Sequence, residues 1–248
     1  MDATRRVHGY QGGRREFLRV IGGVGAGLAV PATALATVSR ARPVTGPAAE
    51  RQADEDVTPP EDLMREHGVL KRILLVYGEA IRRIDAKSDL PPDSVRRSAE
   101  IIRSFIEDYH EKLEEDFVFP RFEKAGRLVD LTKALRAQHA AGRRLTDRTL
   151  SLATPQGLKD AASARELRGA LDQFIRMYSP HEAREDTVLF PAFRSVVSKS
   201  EFAALGDQFE SKEQELFGQD GFEHVVERVA AIEKLVGIDD LSKFTPRV

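Results

Sequence analysis

Two segments of the chain carry the same side chains in the same order. HEKLEEDFVFPRF (His110 to Phe122) and HEAREDTVLFPAF (His181 to Phe193) lie 71 residues apart and share His, Glu, Glu, Phe, Pro and Phe at matching positions. An acid also follows the second shared Glu in both copies, Glu115 in one and Asp186 in the other. Two more histidines obey the repeat: His67 precedes His110 by 43 residues, and His139 precedes His181 by 42. On a helix, residues i and i+4 share one face, a turn apart, so each H-x-x-x-E places an imidazole beside a carboxylate. The His110 face also carries Ile106 and Phe117, and the His181 face Met177 and Val188, so His110, Glu114, His181 and Glu185 are expected in a core. Burying unpaired charge costs several kcal/mol per ion. The nearby basic residues Lys112 and Arg184 lie off this face, which leaves a bound cation as the simplest compensation. A lone core histidine is usually hydrogen-bonded packing, and a lone H-x-x-x-E is often a solvated ion pair; the twofold recurrence argues against both.

Four histidines and two glutamates suit two metal ions, each with two imidazoles, bridged by the carboxylates. Imidazole with carboxylate suits iron, manganese, zinc or nickel. Six ligands over two ions leave open positions for a small molecule, whereas a structural zinc site closes at four. The chain has 248 residues, no cysteine and six histidines, the remaining two being His8 and His224. Absent cysteine excludes disulfides, iron–sulfur clusters, thiol catalysis and thiolate zinc sites. His224 is read as surface or hairpin packing. A formal net charge of −2 provides no basic field for nucleic acid.

The elements that position these residues read as helices, giving an all-α chain. Leu63, His67, Leu70, Leu74, Tyr77, Ile81 and Ile84 recur at spacings of 4 and 3, the inward seam of a long first helix starting near Pro59. SDLPPD (Ser88 to Asp93) breaks it. A second helix is expected from about Asp93 to Lys124, a third from about Leu128 to Ala153, and a fourth from about Asp160 to Val197, with kinks at Pro180 and Pro191. No stretch alternates with period two, so no strands are expected. Short breaks favour an antiparallel, up-down-up-down four-helix bundle over residues 59–198. Residues 199–248 form a C-terminal helical extension, with helices at 199–217 and 221–236 as a hairpin packed on the bundle or facing a partner.

The N-terminus reads as an address. GGRREFLR (residues 12–19) precedes the uncharged stretch Val20 to Ser39, and Ala34-Leu35-Ala36 offers a cleavage site. This resembles a twin-arginine export signal, so residues 1–36 are set apart as signal and residues 37–58, rich in Pro, Ala and charge, as a disordered linker. The resemblance implies the twin-arginine export machinery as a partner and a periplasmic or otherwise exported protein. Stable membrane insertion is expected only if the signal stays uncleaved as an anchor.

His67, HEKLEE, His139 and HEARED together resemble the hemerythrin-like (HHE cation-binding) domain family over about residues 60–197. The resemblance implies a four-helix bundle with a non-haem di-iron centre: His67, His110, His139 and His181 as terminal ligands, Glu114 and Glu185 as bridges. Two iron ions are the expected cofactor, ahead of manganese or zinc. Oxygen-carrying hemerythrins place another His four residues after the third-helix His, where Arg143 stands here, and end on an Asp at the spacing of Asp186, although Glu185 fits the repeat better. Reversible oxygen carriage is therefore in question. The expected function is an exported di-iron protein binding dioxygen, peroxide or nitric oxide for sensing, protection or transport. The alternative is a di-iron oxidoreductase of ferroxidase or peroxidase type, and haem or a redox-silent metal on the same histidines is a third reading. Glu111 and Glu182 are alternate ligands or orienting partners. Tyr109 and Tyr178 are read as core packing, with hydroxyl donation towards the site as the alternative.

Overall fold

The computed structural model describes residues 57–246. The expected signal, residues 1–36, and the expected linker up to residue 56 lie outside the described residues. The described chain is all-helical, with no strand among those residues. None of its helices is long and apolar enough to cross a membrane.

Helix α1 spans Pro59–Asp85. Its start is fixed by Thr58, whose backbone N–H donates to Glu61 Oε2 at 2.9 Å, and by Pro59 at the first helical position, where no N–H is needed. Helix α2 covers residues 92–124 and α3 Val129–Leu152. A short helix α4, Pro155–Lys159, sits within the break that begins at Thr154. Helix α5 covers residues 161–193, α6 spans Lys199–Phe217 and α7 Gly221–Val236. The turn between α2 and α3 uses left-handed backbone at Gly126 (φ 65°) and Leu128 (φ 51°). Glycine takes the first of these at no steric cost.

The four long helices pack around one core: α1 lies against α2 and α5, and α3 lies against the same two. The first-helix seam is buried at Leu63, His67, Leu70, Leu74 and Tyr77. Helices α6 and α7 pack on α1, and α7 also covers the start of α2. Arg72 anchors α7 through two bonds to Glu233, at 2.8 and 2.5 Å, and Arg83 Nη2 donates to the carbonyl of Val236 at 2.8 Å.

Helices α2 and α5 widen into π-helix at matching places. The turns Glu114–Val118 and Glu185–Leu189 are π-helical, each starting at the glutamate of its motif, and α2 has another π segment at Ile102–His110. Pro120 and Pro191 have no N–H to donate to the carbonyl four residues back, and their rings crowd it. The preceding turn opens instead. Phe119 N–H bonds to Glu114 O, and Phe190 N–H to Glu185 O, five residues back. Pro180, by contrast, lies inside the uninterrupted α-helix Ala161–Arg184. The wider turns shift the helix phase by about one residue. That corrects the expected face: Val188 is 39% exposed while Leu189 is fully buried, and Val118 is fully buried where Phe117 is only partly so.

Candidate metal centre

All six expected residues meet at the centre of the bundle, where each is at most 4% exposed. His67 comes from α1, His110 and Glu114 from α2, His139 from α3, and His181 and Glu185 from α5. The imidazoles form two pairs. His67 Nε2 faces His110 Nε2 at 3.1 Å, and His139 Nε2 faces His181 Nε2 at 3.2 Å. Each glutamate touches both pairs. Glu114 Oε2 is 3.7 Å from His110 Nε2 and 3.4 Å from His139 Nε2. Glu185 Oε2 is 3.2 Å from His181 Nε2 and 3.4 Å from His67 Nε2. Asp186, at the spacing of the oxygen-carrier acid, lies behind the ring of His67 instead, 2.7 Å from its Nδ1.

Every Nδ1 faces an oxygen and every Nε2 faces inward. His67 Nδ1 meets Asp186 (2.7 Å), His110 Nδ1 meets Glu66 (2.7 Å), His139 Nδ1 meets Glu115 (3.1 Å) and His181 Nδ1 meets Gln138 Oε1 (2.8 Å). An oxygen at Nδ1 fixes the proton there and leaves the Nε2 lone pair for a cation. The repeat explains the partners. The acid one residue beyond each motif glutamate holds the other motif's first-helix histidine, and the residue before each first-helix histidine holds the motif histidine. The shared Phe works the same way: Phe119 stacks on His139 and Phe190 on His67, both at 5.5 Å between centroids.

The inner oxygens have no protein partner beyond the imidazoles they face. Both carboxylate oxygens of Glu114 and both of Glu185 are buried without a hydrogen bond. Burial and the neighbouring Glu185 carboxylate hold the Glu114 pKa well above the usual carboxylate range. For Glu185, the facing imidazoles of His181 and His67 overcome burial and hold it well below that range. Burial pushes His139 down to about 4 and also lowers His110. Burial acts on His67 in the same sense but is outweighed by Asp186 and Glu185, which raise it to about 9. With no metal, a proton on His67 Nε2 can be shared with His110 Nε2. Four inward nitrogens and four orphaned oxygens form a donor set that fits hard or borderline cations. Glu114, His139, His181 and Glu185 form one group able to hold an ion, and His67, His110 and Glu114 another.

The sequence reading named Glu111, Glu182, Tyr109 and Tyr178 around the site but missed Glu66, Gln138 and Lys71. Glu66 and Gln138 stand immediately before His67 and His139, and that shared position was their signal. Lys71 and Arg143, each four residues after a first-helix histidine, are the basic residues that compensate the outer acids. Lys71 Nζ is 3.3 Å from Asp186 and 3.8 Å from Glu182. Arg143 Nη2 is 2.8 Å from Glu111 and 2.9 Å from Glu115. Glu111 and Glu182 therefore face these cations, and Glu111 Oε2 lies 3.9 Å from His139 Nδ1. Burial raises Glu111 to about 8 and Glu182 to about 7. Both tyrosines donate hydrogen bonds, which corrects the packing reading: Tyr109 to Glu66 (3.0 Å) and Tyr178 to Glu111 (2.5 Å). His224 is exposed on α7.

The comparisons agree with this geometry. The model of the hemerythrin HHE cation binding domain matches residues 58–154 and again residues 130–236. Over 207 residues, 84% of this chain, the sequence is 52% identical to an uncharacterized protein of Mycobacterium tuberculosis, of which 80% is covered. An uncharacterized protein of Mycobacterium bovis matches to the same extent. No solved structure matches the chain. On its motifs and on these matches, the chain belongs to the hemerythrin HHE cation-binding domain family.

Proposed function

We propose that the protein is a non-haem di-iron protein that binds dioxygen or a related small molecule, such as peroxide or nitric oxide. The observation that carries this is the inward set of four Nε2 atoms, which meet only one another and the two glutamates, around four buried glutamate oxygens that make no hydrogen bond. In this reading the packed helices are an antiparallel up-down-up-down four-helix bundle. His67 and His110 would hold one ion and His139 and His181 the second, with Glu114 and Glu185 spanning both. Iron, when bound, supplies the reversible redox and small-molecule chemistry. The protein's own residues do the rest. Asp186, Glu66, Glu115 and Gln138 hold the Nδ1 protons and orient the rings, while Phe119 and Phe190 exclude water from the faces they stack on. The proposal includes export: the twin-arginine-like residues 12–19 would send a folded, loaded protein to the periplasm.

The test is anaerobic loading of the metal-free chain with ferrous iron, then exposure to dioxygen and evacuation. The expected result is two irons per chain and an absorption change that reverses under vacuum. Steady consumption of ferrous iron or peroxide without a reversible change would move the assignment to an oxidoreductase. A Soret band, or stoichiometric zinc in protein purified from its native compartment, would overturn it.

A further inference from the structure

We infer that the two halves of the centre hold their ions unequally, the His139–His181 position being the weaker, and that Gln138 is the positioning residue chiefly responsible. This rests on the metal-binding reading above. The inward atoms of the halves are alike: two imidazole Nε2 atoms about 3 Å apart, touched by the same two glutamates. The difference lies behind the rings. In the first half both Nδ1 atoms face carboxylates, Asp186 and Glu66, each at 2.7 Å. In the second half one faces the Glu115 carboxylate at 3.1 Å and the other the neutral amide oxygen of Gln138 at 2.8 Å.

A carboxylate at Nδ1 pulls on the proton there and makes Nε2 a stronger donor to a cation; an amide oxygen orients the ring without supplying that charge. Glu115 is also more heavily shared than Asp186. Glu115 pairs with Arg143 and with Lys112, both at 2.9 Å, whereas Asp186 meets Lys71 at 3.3 Å. Glu66 and Gln138 stand at the same place in the repeat and differ by one charge at nearly constant shape. Exchanging them isolates charge from packing.

The experiment is an anaerobic titration of the metal-free full chain with cobalt(II) at pH 9, followed by its visible absorption and by calorimetry. The wild-type protein should take up two equivalents in two steps separated by on the order of 10–100-fold, the range expected for an altered partner behind a ligand. At one equivalent, the paramagnetically shifted imidazole signals should belong to His67 and His110. Gln138→Glu should tighten the second step and bring the two together; Glu66→Gln should weaken the first step with circular dichroism unchanged. Two steps of equal affinity, a first ion seated on His139 and His181, or a separation that Gln138→Glu leaves intact would overturn the inference while the metal centre stood. Failure of wild-type protein to bind any cobalt would instead overturn the metal-centre reading beneath it.

Discussion

The halves of the centre are alike in the atoms that face inward and unlike one layer out. Each half presents two imidazoles and shares two glutamates, and each has an aromatic ring stacked on its first-helix histidine. Behind these, Glu66 in one half becomes Gln138 in the other, Lys71 becomes Arg143, and Leu70 becomes Gly142. The tyrosines also differ. Tyr109 serves Glu66 beneath Phe217, whose ring centroid is 5.4 Å away, so the C-terminal helices cover that contact. Tyr178 serves Glu111 because Gly142 leaves room for it: a Cβ there would lie 2.1 Å from the hydroxyl. In the proposed reading, the inner layer is constrained by what a pair of cations would need. The outer layer needs only to satisfy each ring, which it does by different chemistry in each half.

The largest effect should come from removing what the halves share. Because each glutamate touches both pairs, Glu114→Ala with Glu185→Ala should abolish binding of both ions while helicity by circular dichroism stays near wild type. Next is Arg143→Ala, which strands the buried carboxyl group of Glu111 and removes one partner of the half-buried Glu115, in the second half alone. Losing one partner of a buried pair should cost about 3 kcal/mol in urea unfolding. Gly142→Ala should cost about 2 kcal/mol by overpacking against Tyr178, with loss of its bond to Glu111 visible in the tyrosine ultraviolet spectrum.

Proton linkage should separate the halves more gently. His67, held at about 9, is protonated at neutral pH in the metal-free protein, and a metal at Nε2 must expel that proton. First-half affinity should therefore rise about tenfold per pH unit up to pH 9, or about 1.4 kcal/mol per unit. His139, held at about 4, is already neutral there and adds no such slope to the second half. Calorimetry across pH 6.5 to 9 should find the first-half step tightening relative to the second; a constant difference would place the excess proton elsewhere. The smallest change is Lys71→Ala. That lysine is 53% exposed, and its loss should cost less than about 1 kcal/mol, well short of the Arg143 effect.

The inner layer was legible because a duplicated motif leaves four histidines and two glutamates in register, and helix faces follow from spacing alone. Most helix ends were legible too, since Pro59, Gly126, Thr154 and Gly218 mark them in any context. The outer layer was legible only in part. Glu66 and Gln138 act across to a neighbouring helix, and a polar residue beside a histidine does not say which ring it will meet. Phase was misread after Glu114 and Glu185, where a regular 3.6-residue period carried Val188 inward. Pro120 and Pro191 were the cue to a widened turn, yet Pro180 shows that a proline alone does not produce one.

The most direct test of the two-ion centre is Mössbauer spectroscopy of the full chain loaded anaerobically with iron-57 and then oxidised. The account predicts two irons per chain, magnetically coupled through shared ligands, and no bound iron in the Glu114→Ala, Glu185→Ala variant. A single uncoupled iron, or stoichiometric iron retained by that variant, would contradict it.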